Sequence, residues 1–204
     1  MKIGLIGDSH TEIYFPMLRR KLEAMGHTVV GEASKRGWAT YSYNKDPSYF
    51  DQLAEADAVI VSIGGNNHRL NDSYKEHVDT FLRNVGYPKK RIIWVGPAVA
   101  LRQDVEDRHV WTTQWLKKNL PSSVAFIDSR EFTTVNHAPD GVHFTNAGYQ
   151  LWADTIANKI KPILSMPIML YKVGRSIPYI VLMTSLSFVG YALWRRYGDT
   201  RKNN

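Results

Sequence analysis

Ser9 stands in the run Gly7-Asp8-Ser9-His10, directly after the apolar stretch Ile3-Gly4-Leu5-Ile6. Far along the chain, Asp140-Gly141-Val142-His143 places a carboxylate and an imidazole three residues apart, just before a helix-like stretch. A hydroxyl, an imidazole and an acid are what acyl transfer through serine requires. The imidazole takes the hydroxyl proton, and the acid fixes its tautomer and stabilises the imidazolium. Asn66, in Gly64-Gly65-Asn66-Asn67, adds an amide donor for a tetrahedral oxyanion, beside backbone N–H groups at Ser9 and at the Gly37 turn. Each residue also has a plainer reading. Ser9 suits a helix N-cap, Asp140-Gly141 a turn, and Gly64 to Asn67 a strand-ending turn. Asp8 could instead hold a metal.

These residues act together only if the fold gathers them. Apolar runs at 2–6, 28–31, 58–63, 91–95 and 124–127 predict five strands. Periodic stretches at 12–25, 48–56, 73–85, 104–119 and 146–160 predict helices between and after them. Alternating short strands and helices imply an α/β fold: a mainly parallel sheet covered on both faces, with ligands bound beyond the strands' carboxyl ends. Ser9, the 31–38 loop, Asn66, Pro97 and the 128–143 loop all fall at that edge.

With the spacing of all four blocks in view, residues 1–160 resemble the SGNH, or GDSL-type, hydrolase family. The blocks are Gly7-Asp8-Ser9-His10, Arg36-Gly37-Trp38, Gly64-Gly65-Asn66-Asn67 and Asp140-Gly141-Val142-His143-Phe144-Thr145. The resemblance implies a three-layer α/β/α, flavodoxin-like fold with a five-stranded parallel sheet. It implies catalytic Ser9, Asp140 and His143, and an oxyanion hole from Ser9, Gly37 and Asn66. No cofactor or metal is implied. His10 stands where the family often has leucine, and Asn67 where it often has aspartate. With Trp38 they are assigned to substrate lining, Trp38 equally to packing. His68 and His137 read as loop histidines.

The net charge of +7 is unevenly spread. Residues 1–165 carry 20 Lys and Arg against 18 Asp and Glu, whereas the last 39 carry six basic residues and one acidic. A nearly neutral domain argues against a nucleic-acid partner. The chain has no Cys, so disulfides and thiolate chemistry are excluded. No secretory signal is visible at the N-terminus. Residues 177–194 carry no charge and would span roughly 27 Å as a helix.

The expected organisation is a hydrolase domain over 1–161, a connector over 162–176, a C-terminal apolar helix over 177–194 and a basic tail over 195–204. The apolar helix is expected to span a membrane once, or to pack in a homo-oligomer or assembly. Membrane association is the expected location, with a virion or a soluble cytoplasmic state as alternatives. The expected function is serine-dependent hydrolysis of a small acyl ester, acetyl above all, on a glycan or cell-envelope polymer. The alternatives are a lipid esterase, a non-catalytic structural component of a membrane-containing assembly or virion, and a glycan-binding module.

Overall fold

The computed structural model describes residues 1–67, 73–167 and 171. Five parallel strands, β1 (Lys2–Gly7), β2 (Thr28–Ser34), β3 (Ala58–Ser62), β4 (Arg91–Val95) and β5 (Ala125–Ile127), form one sheet in the order β2-β1-β3-β4-β5. Helices α1 (Thr11–Ala24), α2 (Thr40–Lys45), α3 (Ser48–Asp51), α4 (Ser73–Val85), α5 (Gln103–Asn119) and α6 (Asn146–Ser165) cover it.

Alternation along the strands builds two cores. Ile3 and Leu5 of β1, Ile60 of β3 and Ile93 of β4 pack with Leu18 of α1 and Trp152 and Ile156 of α6. Val59 and Val61 of β3, with Ile92 and Trp94 of β4, pack with Phe81 of α4 and Leu116 of α5. Successive side chains point to opposite faces, so strands buried on both sides are apolar throughout. The result is the expected three-layer α/β/α architecture.

The chain reverses its direction of winding at β1, which lies between β2 and β3. The carboxyl end of β1 is therefore the switch point where such sheets bind ligands. Gly7 ends β1, and a Cβ there would lie 2.0 Å from Thr11 Cγ2. The absence of a side chain lets the first turn of α1 close over the strand. Thr11 also donates to the Asp8 carbonyl through its N–H at 3.1 Å and its hydroxyl at 2.7 Å.

Several expectations are corrected. The 48–56 helix is only α3, followed by turns, and α2 was not expected at all. Thr40-Tyr41-Ser42-Tyr43 has poor helix propensity. It is fixed by tertiary contacts, with Tyr43 buried and its hydroxyl donating to the Gly7 carbonyl at 2.6 Å. The helix over 146–160 continues through Pro162 to Ser165.

The C-terminal apolar helix is also corrected. Among the described residues no helix is long and apolar enough to cross a membrane. The longest, α6, is two-sided: Tyr149, Trp152, Ile156 and Ile160 are buried while Lys159 and Lys161 are exposed. The 177–194 segment lies outside the described residues. The expected membrane partner, membrane location and helix-mediated assembly rested on it, and the described fold supplies no such span.

Arg91, 1% exposed at the start of β4, closes the other end of α6. Its guanidinium donates to the carbonyls of Ile163 and Leu164, both at 2.8 Å, and of Met166 at 2.6 Å. The Ile163 carbonyl also accepts the Met166 N–H at 3.3 Å, but carbonyls at a helix terminus otherwise lack intrahelical partners. The Tyr171 ring lies 4.6 Å from the guanidinium, and its hydroxyl donates to the Ile92 carbonyl. Replacing Arg91 with Ala is expected to cost about 2–4 kcal/mol, measured by urea unfolding. Lys, which cannot reproduce the planar fork, is expected to recover only part of it.

Candidate active site

Asp140 and His143 lie on a loop closed by short-range hydrogen bonds. Ala138 N–H donates to the His143 carbonyl at 2.8 Å, and Gly141 N–H to the Ala138 carbonyl at 3.0 Å. Gly141 takes φ +69°, a conformation that favours glycine. Thr145 N–H donates to the Asn136 carbonyl at 2.8 Å, and the Thr145 hydroxyl accepts from Gly148 N–H at 3.3 Å, capping α6. His137 Nε2 meets the Val99 carbonyl at 3.0 Å, and its ring packs on Phe144 with centroids 4.4 Å apart. It is a strut of the loop. His68 lies outside the described residues.

This loop meets the end of β1. Ser9 Oγ is 3.0 Å from His143 Nε2, and His143 Nδ1 is 2.7 Å from Asp140 Oδ2. Asp140 Oδ1 accepts the N–H groups of Val142 and His143, both at 2.9 Å. The Val142 N–H above all, then the His143 side chain, lowers the Asp140 carboxyl to about 2. An ionised Asp140 places the Nδ1 proton on its own side and leaves Nε2 as acceptor toward Ser9.

Asn66 borders the same cleft. Its side chain donates to the Trp38 carbonyl at 3.2 Å, which draws the 37–38 turn against the Gly65-Asn66 turn. The amide's second proton remains for another acceptor. Gly37, at φ +71°, is exposed in that turn. Neither it nor Trp38 is among the residues lining the cleft. The Trp38 ring packs edge-on against Tyr43 and Tyr49, at 4.8 and 5.0 Å between centroids. Asn67 is buried and donates to the Tyr74 hydroxyl at 3.0 Å and the Gly64 carbonyl at 3.3 Å. Trp38 and Asn67 therefore brace the loops.

The cleft encloses about 510 Å³ and is lined by Ser9, His10, Asn66, Asp140 and His143 together with Arg102, Val105, Arg108 and His109. Of the last four, Arg102 immediately precedes α5 and the other three lie in its first turns; none is among the residues that the sequence assigns to the site. Their signal was the spacing of 105, 108 and 109 on one helical face, immediately after the loop that follows β4. Arg108 Nε donates to the Gly65 carbonyl at 2.9 Å, and His109 Nδ1 to the Ala98 carbonyl at 2.7 Å. A Cβ on residue 65 would lie 2.9 Å from His109 Nε2, so the loop approaches this closely only with glycine there.

Next to Ser9 lies a buried polar layer. His10 is 6% exposed, with Nδ1 3.0 Å from the Tyr149 hydroxyl and its ring centroid 4.9 Å from that of His143. Burial first, then the neighbouring His143, lowers His10 to about 3. It is a neutral floor beside the His143 imidazole and also lines the cleft. Asp8 is also buried and accepts the His10 N–H at 3.2 Å, yet burial raises its carboxyl to about 7. Asp8, His10 and His109 line an inner cavity of about 10 Å³, room for one water. Among the described residues no three His, Asp or Glu side chains are grouped to hold a metal.

No protein-family model matches the sequence, and no curated protein matches it. Solved structures do. A lipase/acylhydrolase from Enterococcus faecalis has 22% identity, covering 79% of this chain and 96% of its own, with a TM-score of 0.61. A catalytic mutant of an acetylxylan esterase from Geobacillus stearothermophilus has 17% identity, covering 78% and 94%, with a TM-score of 0.67. A carbohydrate acetylesterase from Sinorhizobium meliloti has 14% identity, covering 79% and 99%, with a TM-score of 0.65. The chain shares the fold of these esterases and lipases.

The buried pair Asp8 and His10 makes a signed prediction. Asp8 titrates near 7 when folded, against an ordinary 3.8. Between those values the native state holds the extra proton, so this group lowers stability as pH rises. His10, near 3 against an ordinary 6.5, does the opposite over its own window. The two partly cancel in the natural chain. Replacing Asp8 with Asn removes the first contribution alone. Urea unfolding from about pH 4 to about pH 8 is expected to show the variant gaining on the natural chain as pH rises, then levelling off. A pH-independent difference would mean that Asp8 does not titrate there.

Proposed function

We propose that this protein is a serine hydrolase that cleaves small acyl esters through a covalent acyl-enzyme on Ser9. The observation that carries the reading is the continuous hydrogen-bonded series Ser9–His143–Asp140, opening into a cleft at the switch point of the sheet. Ser9 Oγ attacks the ester carbonyl while His143 Nε2 accepts its proton. The oxyanion is met by the Asn66 amide and the Ser9 backbone N–H, a donor such as Asn66 contributing about 3–4 kcal/mol, while the Gly37 turn, which does not line the cleft, is tied to Asn66 through the Trp38 carbonyl. His143 then protonates the leaving alcohol. Water, activated by the same imidazole, releases the acid and restores Ser9. Asp140 stays ionised throughout and stabilises the imidazolium.

The lining favours a short acyl group on a polar alcohol. Among the described residues, Val105 and Val142 are the aliphatic side chains bordering the cleft, and most others lining it are charged or polar. A long lipid chain would leave its apolar surface beside charged groups. Acetyl on a carbohydrate fits this chemistry, as do the acetylxylan esterase and the carbohydrate acetylesterase of the same fold. A scaffold or a pure glycan-binding module has no use for an oriented imidazole at a serine.

Two substitutions test the reading, with p-nitrophenyl acetate as substrate. Ser9→Ala is expected to lower kcat by a factor of at least about 10³ without unfolding the chain. Asp140→Asn presents an amide N–H to His143 Nδ1 and so forces the wrong tautomer. It is expected to lower kcat by about 10⁴. Turnover unchanged by Ser9→Ala would refute the assignment.

A further inference from the structure

The charges around the cleft are not equally committed. Arg102 is neutralised by Asp104 through two contacts, Nε to Oδ1 at 3.2 Å and Nη2 to Oδ2 at 2.7 Å. The Asp140 carboxylate is engaged by His143 and by two backbone N–H groups. Asp8 borders both the cleft and the small cavity beneath it, with its carboxyl held toward the neutral form by burial. Arg108 differs. It is half-buried on the cleft wall, and its contact among the described residues is the one from Nε to the Gly65 carbonyl. That bond fixes the direction of the guanidinium one residue before Asn66. Its two terminal NH₂ groups, in fixed fork geometry, make no close ion pair with a carboxylate among the described residues, although its charge is felt by Asp104 one turn earlier, a carboxylate already bound to Arg102.

We infer that Arg108 selects substrates whose alcohol part carries an anionic group, a carboxylate or a phosphate, close to the scissile ester. The inference rests on the esterase reading for the placement of that group. With a short acyl chain at Ser9, only the alcohol part is large enough to bear a charge that reaches Arg108. A planar guanidinium held at one nitrogen is pre-oriented for two parallel hydrogen bonds to such an oxyanion. Partial burial reduces solvent screening of the pair relative to a surface contact. The near-neutral charge of the domain makes this a local device, and long-range attraction of polyanions is not part of it.

Binding can be separated from turnover. In the full-length chain carrying Ser9→Ala, isothermal titration would compare 4-acetoxybenzoate and 4-acetoxyphenyl phosphate with the neutral methyl 4-acetoxybenzoate. At least one anion is expected to bind about tenfold or more tightly than the neutral ester, and which one does so distinguishes carboxylate from phosphate. Adding Arg108→Gln is expected to bring that ratio close to one, whereas Arg108→Lys keeps part of it. Comparing ligands within one variant cancels any displacement of the Gly65-Asn66 turn, which would weaken all three together. Absence of an anion preference, or a preference that survives Arg108→Gln, overturns the inference. Hydrolysis with Ser9 intact is read separately. An anion preference without turnover of any of the three esters supports the role of Arg108 and sinks the esterase reading.

Discussion

One carboxylate holds the site in register. Asp140 Oδ1 accepts two successive backbone N–H groups and so shapes the turn, while Oδ2 takes the Nδ1 proton of His143. The same group therefore sets where the imidazole stands and which nitrogen faces Ser9. Because two of its three donors are backbone amides, its charge is stabilised before any substrate arrives, and its carboxyl is correspondingly depressed to about 2. Preorganisation of this kind removes reorganisation from the reaction step. The His143 ring neighbours that of His10, which burial keeps uncharged, so under the proposed mechanism an imidazolium at His143 meets no like charge there.

That arrangement places polar groups where the fold would otherwise put apolar ones. Asp8, His10 and His109 are all buried at the carboxyl edge of the sheet. Burying polar groups is unfavourable unless each finds a partner. Asp8 accepts a backbone N–H, His10 meets Tyr149, and His109 donates to a carbonyl. Asp8 and His10 have opposite titration signs, and this limits how far pH swings the stability of the site's floor.

The strands and the residues of the Ser9–His143–Asp140 series were legible in the sequence for local reasons. Doubly buried strands are short and apolar throughout, and Asp140 and His143 belong to one turn whose geometry their spacing encodes. Ser9 is legible because a Gly-Asp-Ser-His run follows the first of those strands. What was not legible acts across the fold. Helix α2 forms in spite of its propensities because Tyr43 reaches the Gly7 carbonyl. Arg108 and His109 enter the site because α5 begins at the cleft, and their shared helical face is a signal that acquires meaning only once that placement is known. Trp38 and Asn67 sit beside oxyanion loops in sequence, but their side chains turn inward to Tyr43, Tyr49 and Tyr74. Adjacency in the chain fixes where a backbone goes, and packing decides where a side chain points.

The two edges of the sheet divide the work. At the carboxyl edge the chain gathers buried acids and imidazoles, tight glycine turns and an open cleft. At the opposite edge, Arg91 begins β4 and gathers three carbonyls from the end of α6. Helix α6 spans the distance between them: its first turn is capped by Thr145, two residues after His143, and its last turn is capped by Arg91. The apolar face of α6 against the sheet, with Trp152 and Tyr149 under His10, makes it the rod on which the Asp140–His143 loop is mounted. Loosening the Arg91 cap would let the far end of that rod fray, and the loss would reach His143 only after several turns of packed helix had given way. Stability and chemistry are thus joined through one element but separated along its length, which lets the active edge carry polar burial that a smaller core could not sustain.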